Sequence, residues 1–225
     1  MSKVAFVVGA GGVLGGALVS EFSTTGYGVA GLHRASGFIG GEPLRTAVDL
    51  SDPPSVRNAV EHVCEVLGPI DVLVCNAGTL MMKPFAEHAL EDFDLLWRVN
   101  VTSACAAAGA VLPGMVRRGE GCILFSGATA SIRGSARFPA FAATKFAVRG
   151  LAQSLAREYQ PQGIHVVHVL IDGVLRGSPS AGRFGVEDER AIDPAEAAKA
   201  YRWLAEQPAS VWTQELDLRS RRERF

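Results

Sequence analysis

The feature that most constrains the fold is the stretch at residues 4–22, which reads VAFVVGAGGVLGGALVSEF. Its opening residues are apolar and mostly β-branched or aromatic, a pattern typical of a strand buried on both faces of a parallel sheet. Glycines follow from Gly9 to Gly12, and apolar residues then recur at helical spacing as far as Phe22. The stretch therefore predicts a strand, a glycine-rich turn and a helix.

This turn has two interpretations. Glycines can simply permit a tight strand-to-helix turn. Alternatively, backbone without side chains can approach a diphosphate, and the following helix offers free N–H groups and the positive end of its dipole. Because a strand precedes the turn and a helix follows it, the sequence favours nucleotide binding.

Length and charge limit the domain count and the partners. With 225 residues, 48% of them hydrophobic, the chain can bury one sizeable core, so we predict a single domain over residues 1–225. The 22 basic and 23 acidic residues nearly cancel, which argues against a nucleic-acid or acidic-membrane partner. A small neutral or anionic metabolite fits better.

The cysteines and the N-terminus indicate the compartment. Cys64, Cys75, Cys105 and Cys122 form no CxxC pair and lie in apolar segments, so they are interpreted as small buried hydrophobes in a reducing compartment. No metal site is predicted. The first strand starts too early for a signal peptide, and we expect no apolar run of membrane-span length. The protein is predicted to be cytoplasmic.

Strand and helix patterns alternate along the chain. Predicted strands cover residues 4–8, 29–32, 46–48, 70–75, 121–125, 164–171 and 215–218, and predicted helices after the first cover 52–67, 86–117, 139–159 and 193–206. Residues 35–43 and 172–193 are predicted loops, the second a mobile surface loop, and Pro113 is expected to bend or end its helix. The alternation predicts an α/β fold with a doubly wound parallel sheet.

The end of the second strand bears on cofactor choice. An acid there would accept a hydrogen bond from an adenosine ribose 2′-hydroxyl and select NAD, but the chain has His33 and Arg34. Arg34 could pair with a 2′-phosphate, which favours NADP, or could be a solvated surface arginine. Asp49 lies either beside an adenine pocket or in a turn.

Ligands of such a sheet bind beyond the carboxyl ends of its strands. The motifs there are, in order, GAGGVLG at residues 9–15, Asp49, CNAG at residues 75–78, Asn100 in RVN, Ser126, and Lys145 in FAATKFAVRG. With these motifs, residues 3–173 resemble the short-chain dehydrogenase/reductase family. The resemblance implies a Rossmann-type, three-layer α/β/α fold and hydride transfer between a nicotinamide cofactor and a carbonyl or alcohol. It also implies a homodimer or homotetramer.

The resemblance assigns roles to individual positions. The cofactor-binding residues it implies are Gly9, Gly11, Gly12, Val13, Leu14, Gly15, His33, Arg34, Asp49, Leu50, Asn76, Ala77, Gly78, Lys145, Asp172 and Gly173. The catalytic positions it implies are Ser126, Lys145, Asn100 and Phe141. Lys145 resembles the family lysine that holds the nicotinamide ribose and lowers the pKa of a tyrosine four residues upstream. Asn100 resembles the asparagine that positions a water.

The chain departs from this pattern at the proton donor. Phe141 stands where the family has the tyrosine of its YxxxK motif, and a phenyl ring cannot donate a proton. None of the tyrosines Tyr27, Tyr159 and Tyr201 falls at an expected site. Further departures are Val8, Val13 and the pair Asp172-Gly173, which replaces a proline-glycine pair.

Other groups could supply the missing proton. Ser126, with Thr129, Ser131 and Ser135 downstream, offers hydroxyls for a carbonyl oxygen, and Lys145 could protonate it through water or a ribose hydroxyl. The family serine often stands second in a Ser-Ser pair, and this chain has Gly127 at that second position. Ser126 is therefore either the family serine or a strand-end serine whose hydroxyl is hydrogen-bonded within the fold.

Two functions follow. One is an atypical NADP(H)-dependent oxidoreductase for a small carbonyl or alcohol. The other is a catalytically impaired NAD(P)-binding module that acts as a redox sensor or an oligomer partner. A methyltransferase fits poorly, because it leaves Lys145 and Asn100 unexplained.

Overall fold

The computed structural model describes residues 2–33, 37–39 and 48–222. In this part of the chain seven strands form one sheet in the order β3-β2-β1-β4-β5-β6-β7. The strands are β1 (Val4–Val8), β2 (Gly28–His33), β3 (Gly37–Ile39), β4 (Val72–Cys75), β5 (Gly121–Ser126), β6 (Ile164–Ile171) and β7 (Glu215–Leu218). Every neighbouring pair is parallel except β2 and β3.

Helices cover both faces of the sheet. They are α1 (Val13–Thr24), α2 (Pro53–Leu67), α3 (Leu90–Trp97), α4 (Ser103–Arg118), α5 (Pro139–Tyr159), α6 (Pro179–Phe184) and α7 (Pro194–Ala205). Alternate residues of β1 divide between two cores, since Phe6 packs in the cluster that includes α2, α4 and α5, and Val7 in the cluster that includes α1 and α7. The predicted doubly wound, three-layer Rossmann-type sheet is confirmed.

The long helix predicted at residues 86–117 is interrupted. A π-helical turn, Arg98–Thr102, separates α3 from α4 and contains Asn100. Pro113 does not end the helix, because Leu112 and Met115 remain buried on either side of it and α4 continues to Arg118. The helix ends at Gly119, whose φ of +68° is left-handed.

The predicted loops are partly ordered. The segment at residues 172–193, predicted to be a mobile loop, contains α6, whose N-terminus is capped by the Ser178 side chain. The segment at residues 35–43 includes β3. Of the strand predicted at residues 46–48, only Val48 is described, and it is not in a strand. Arg34 also lies outside the described residues.

Two predictions from composition were wrong. Cys75 and Cys122 are buried as expected, but Cys64 and Cys105 are exposed. Among the described residues, Leu90–Arg118 is long and apolar enough to cross a membrane by length and composition alone, contrary to the expectation of no such run. Its most apolar window is 56% buried in the fold, so it is weak evidence for a span and resembles a core helix of a soluble protein.

Candidate active site

The glycine loop after β1 is hydrogen-bonded to β2 and to the residue after β4, the two strands that flank β1. The N–H groups of Gly9 and Ala10 donate to the Leu32 carbonyl oxygen at 3.0 and 2.9 Å, and the Asn76 side chain donates to the Gly9 carbonyl oxygen at 2.8 Å. Gly9 has a φ of +97°, and a Cβ there would lie 2.4 Å from the Ala77 nitrogen. Glycine is therefore required at this position, and the Asn76-Ala77 segment holds the loop in place.

The N-terminus of α1 is open toward an anion. Gly12 caps the helix without a side-chain hydrogen bond, and a Cβ built on Gly12 meets no atom within 4 Å. The first turn of a helix leaves N–H groups without intrahelical partners. Bare backbone beside open space at this position fits the diphosphate of a dinucleotide.

His33 and Asp49 have different surroundings. The His33 ring lies directly against the glycine loop, since a Cβ on Gly11 would be 1.4 Å from its Cδ2 atom. Asp49 is exposed, and its Oδ1 atom accepts from the Ser51 N–H at 2.8 Å and the Ser51 hydroxyl at 2.7 Å. This geometry is that of a turn, while the neighbouring Leu50 is buried in the core.

Asn100 ties three segments together. Its Oδ1 accepts from the Thr79 N–H at 2.7 Å, and its Nδ2 donates to the Thr79 carbonyl oxygen and to the Thr144 hydroxyl. Thr144 in turn donates to the Phe141 carbonyl oxygen at 2.8 Å. The π-helical turn thus fastens the strand-end segment after β4 to the helix that carries Phe141 and Lys145.

Lys145 is a buried cation beside Phe141. Its ammonium donates to the Ser126 carbonyl oxygen at 2.9 Å and lies 5.8 Å from the centroid of the Phe141 ring, within cation–π range. Only 6% of the residue is exposed, and burial lowers the pKa of Lys145 to about 8. A lysine with such a pKa can donate or accept a proton near neutral pH.

The Ser126 hydroxyl has a partner of its own. Its Oγ is 2.7 Å from the Tyr201 hydroxyl, and both side chains are buried in the core between the sheet and α7. Burial raises the pKa of Tyr201, so its phenol stays neutral. The sequence left Ser126 open between the family serine and a strand-end serine. In the structure its hydroxyl contacts Tyr201 and its carbonyl oxygen holds Lys145, and the residue lines the cavity described below. Sequence reasoning missed Tyr201, since 75 residues separate the partners.

Asp172, which stands where the family has the proline of a proline-glycine pair after β6, has a structural role. Its Oδ1 accepts from the Thr129 hydroxyl at 2.6 Å, and its Oδ2 pairs with Arg219 at 2.9 Å. The carboxylate is buried and joins the segment after β5 to the end of β6 and to the residue after β7. The Thr129 hydroxyl is therefore also engaged.

A chain of polar contacts that runs from the buried Ser131 and His168 out to Glu215 and Arg149 supports the segment after β5. His168 on β6 is 3.2 Å from the Ser131 hydroxyl through Nε2 and 3.0 Å from Glu215 through Nδ1, and Arg149 pairs with Glu215 at 2.7 Å. A Cβ on Gly127 would lie 2.2 Å from His168 Nε2. This imidazole leaves no room for a side chain at residue 127, and no local pattern in the sequence signalled it.

Acid is expected to destabilise the fold through His168. Burial lowers the pKa of this imidazole, against the charge of Glu215 that raises it, and Lys145 and Arg149 add to the lowering. Protonation of His168 thus favours the unfolded chain. The stability that neutral His168 contributes is fully present above the ordinary histidine pKa of about 6.5, and it is lost as the pH falls through the lower pKa of the folded state. Thermal melts between about pH 7.5 and 5 should show this loss, and it should be smaller in His168→Gln. The buried His165, whose pKa burial also lowers, accounts for what remains. An identical pH profile in the variant would contradict the assignment.

Several of these residues line a cavity of about 500 Å³ at the carboxyl ends of the strands. Leu14, Asn76, Gly78, Phe141 and Lys145 all line it. Its outer part is formed by the segment after β5 and by the segment around α6, where Phe138 and Phe184 pack edge to face with centroids 6.2 Å apart. The glycine loop side and the Lys145 side thus open into a common space.

Comparison with known proteins settles the family. The model of the short chain dehydrogenase family matches residues 3–176. The chain belongs to this family. It is an oxidoreductase of the short-chain type. A short-chain dehydrogenase/reductase of Armillaria gallica is 32% identical over 177 residues, covering 73% of this chain and 68% of that protein. The L-2,3-butanediol dehydrogenase of Corynebacterium glutamicum is 30% identical over 195 residues, covering 78% and 72%.

Solved structures of short-chain dehydrogenases resemble the fold over nearly its full length. The 3-ketoacyl-(acyl-carrier-protein) reductase of Brucella melitensis, complexed with NADH, superposes with a TM-score of 0.86 at 26% identity, covering 98% of each chain. The alcohol dehydrogenase of Thermococcus sibiricus, complexed with 5-hydroxy-NADP, gives 0.85 at 26% identity, covering 100% of this chain and 99% of that one.

Proposed function

We propose that this short-chain dehydrogenase reduces a small carbonyl compound, or oxidises the alcohol, with NADP(H). The observation that carries the proposal is the buried Lys145 ammonium, which lines the cavity and is held 2.9 Å from the Ser126 carbonyl oxygen. A cofactor whose diphosphate lies at Gly12 would have its other half in this cavity. When bound, the nicotinamide supplies or accepts the hydride.

Lys145 is the proton donor in this proposal. In the reducing direction the carbonyl carbon gains a hydride and the carbonyl oxygen gains a proton from the ammonium, directly or through one water. Water then returns the proton to the amine. Burial assists this role, because a pKa of about 8 leaves the Lys145 ammonium protonated at neutral pH and makes it a stronger acid than an ordinary lysine. Asn100 positions the helix that carries Lys145 through Thr144 and Phe141.

Titration with NADPH and NADH, followed by nicotinamide fluorescence, tests the cofactor part of the proposal. Tighter binding of NADPH is expected if Arg34 pairs with a 2′-phosphate. Equal affinities would remove that role from Arg34. No binding of either coenzyme to folded protein would end the proposal as a whole.

Gly12→Asp should weaken binding of the cofactor without lowering the stability of the fold. Gly12 has the extended backbone of an N-cap, with φ −91° and ψ 172°, and its side-chain position is empty, so aspartate should preserve or raise the melting temperature. The same carboxylate would repel a diphosphate at the helix N-terminus and weaken NADPH binding about tenfold or more. Gly12→Asn is the matched control, because it adds the same volume without charge. Equal affinities of the two variants would place the diphosphate elsewhere.

We also propose a homo-oligomer, a homodimer or homotetramer, built on the exposed face of α3 and α5. Leu95, Trp97 and Phe146 are exposed to 46%, 48% and 45% in the isolated chain, which is unusual for large apolar side chains on neighbouring helices. Light scattering at micromolar concentration is expected to give at least a dimer mass, and Trp97→Glu should shift the protein toward monomer. A monomeric parent protein would contradict the proposal. A cytoplasmic location and the absence of nucleic-acid and membrane partners remain parts of the same proposal.

Phe141 favours the alternative function, a cofactor-binding module that senses redox state without turnover. The two functions differ in one measurable respect. If NADPH binds but no carbonyl in a broad panel is reduced, even after a tyrosine is introduced at residue 141, the sensor function replaces the enzyme.

A further inference from the structure

The cavity wall carries positive charge without any opposing carboxylate. Its lining residues include Lys145, Arg133 and Arg190, and none of the described residues that line it is an aspartate or a glutamate. Lys145 lies on α5, whereas Arg133 lies on the segment after β5 and Arg190 on the segment after α6. A cavity of this kind attracts anions.

Arg190 is the stronger of the two candidates for binding an anion. Its side chain is half-buried, and within the described part of the chain no carboxylate pairs with its guanidinium. Arg133 lies 3.8 Å from Asp172, but both oxygens of that carboxylate already have closer partners in Thr129 and Arg219. Asp172 therefore neutralises Arg133 only in part.

The backbone around Arg190 is fixed before any ligand binds. The Arg190 N–H donates to the Glu187 carbonyl oxygen at 2.9 Å, and the next residues are buried. Ile192 forms a bridge with Leu175, with its N–H 2.8 Å from the Val174 carbonyl oxygen. Because Val174 and Leu175 also line the cavity, the guanidinium is carried by a segment that is tied to the cavity wall.

Apolar side chains line much of the rest of the cavity, together with hydroxyl groups such as those of Ser135, Ser178 and Ser180. Leu80, Phe138, Leu175, Phe184 and Val186 line it, and the Phe138 and Phe184 rings contact each other. A ligand that matches this surface has an apolar body and one anionic group.

We infer that the substrate of this enzyme is an oxo acid or hydroxy acid, with its carbonyl or hydroxyl at Lys145, its apolar chain against the phenylalanine pair, and its carboxylate on Arg190 with help from Arg133. This inference rests on the proposed function and names the substrate class for that site. The planar guanidinium of arginine suits a carboxylate because it can donate two parallel hydrogen bonds.

The test measures binding rather than turnover. Calorimetry compares phenyl-substituted oxo acids of increasing chain length with their methyl esters, with the protein alone and with NADP⁺ present. An acid of suitable length should bind about tenfold or more tightly than its ester, the range expected for a charge-assisted hydrogen bond. Equal affinities of every acid and its ester, or no binding of any acid, would overturn the inference. Absence of NADP⁺ binding alone would count against the proposed function and leave the acid-to-ester comparison readable.

Variants assign the effect to a residue. Arg190→Met should weaken binding of the acid by about tenfold or more and leave the ester and NADP⁺ unchanged, and Arg133→Met should have a smaller effect in the same direction. Arg183→Met is the matched control, because Arg183 is an exposed arginine of α6 that does not line the cavity. Should Arg190→Met weaken NADP⁺ binding and spare the acid, the guanidinium serves the cofactor diphosphate and the inference is wrong.

Discussion

Replacing Phe141 by tyrosine is expected to raise the rate of carbonyl reduction by roughly a hundredfold or more, because a positioned general acid is typically worth that much. The Phe141 ring lines the cavity and lies 5.8 Å from the Lys145 ammonium, so a phenol at this position would share the cavity with the cation. The nearby positive charge would lower the pKa of the new hydroxyl and make it a better donor.

The matched control for this gain is Phe138→Tyr. Phe138 also lines the cavity, but it precedes α5 and packs against Phe184, so the added hydroxyl tests polarity of the cavity without adding a donor at residue 141. Steady-state rates with NADPH and a panel of carbonyl compounds give the comparison. Equal rates for both variants would show that the hydroxyl at residue 141 has no catalytic role in this cavity.

Lys145→Met is expected to remove activity and to stabilise the fold. Without tyrosine, Lys145 is the proton donor of the proposed reaction, so kcat should fall by roughly a hundredfold or more. At pH 7 the folded protein must keep this ammonium charged in a buried position, since its pKa of about 8 is still above the ambient pH. Removing the charge should stabilise the protein by about 1 to 3 kcal/mol, the loss of the hydrogen bond to Ser126 offsetting part of the gain.

The measurements are kcat and the free energy of unfolding of the same preparations. Lys199→Met is the control, because Lys199 is an exposed lysine paired with Glu196 on α7 and should change neither quantity. A variant that loses activity and stability together would mean that Lys145 supports the fold rather than the reaction.

The same lysine predicts a pH profile for the parent enzyme. The folded protein releases this proton around pH 8, whereas the unfolded chain keeps it up to the ordinary lysine pKa of about 10.4, so the stability of the fold rises between these two pH values. For reduction, kcat/KM should fall above about pH 8 as the donor is lost, since this parameter reports ionisation of the free enzyme. A flat profile to pH 10 would remove Lys145 as the donor.

Much of the fold could be predicted because its signals are local. The nearly unbroken run of β-branched residues in β6 predicted its bounds. Asp52 with Pro53 marked the start of α2, where the Asp52 side chain accepts from the Ser55 N–H. The break between α3 and α4 could not be predicted, because a π-helical turn has the same apolar spacing as the helices around it.

Sequence motifs identified some of the residues that the structure brings together, but not the contacts between them. Lys145 and Asn100 were identified from short motifs, and the structure brings both to the segment after β4. The Ser126–Tyr201 contact and the His168–Ser131 contact join residues on separate elements whose relative positions only the folded sheet determines. Residue 126 thus looked like a catalytic serine in the sequence, while its hydroxyl is turned toward α7.

The acceptor that holds Lys145 belongs to the main chain, and this has a consequence for how the enzyme tolerates mutation. Any amino acid at residue 126 carries the same carbonyl oxygen, so Ser126→Ala deletes the Tyr201 contact yet keeps the 2.9 Å anchor of the ammonium. Substitutions at residue 126 therefore leave the hydrogen bond of the Lys145 ammonium in place, and only changes that move the backbone of β5 can break it.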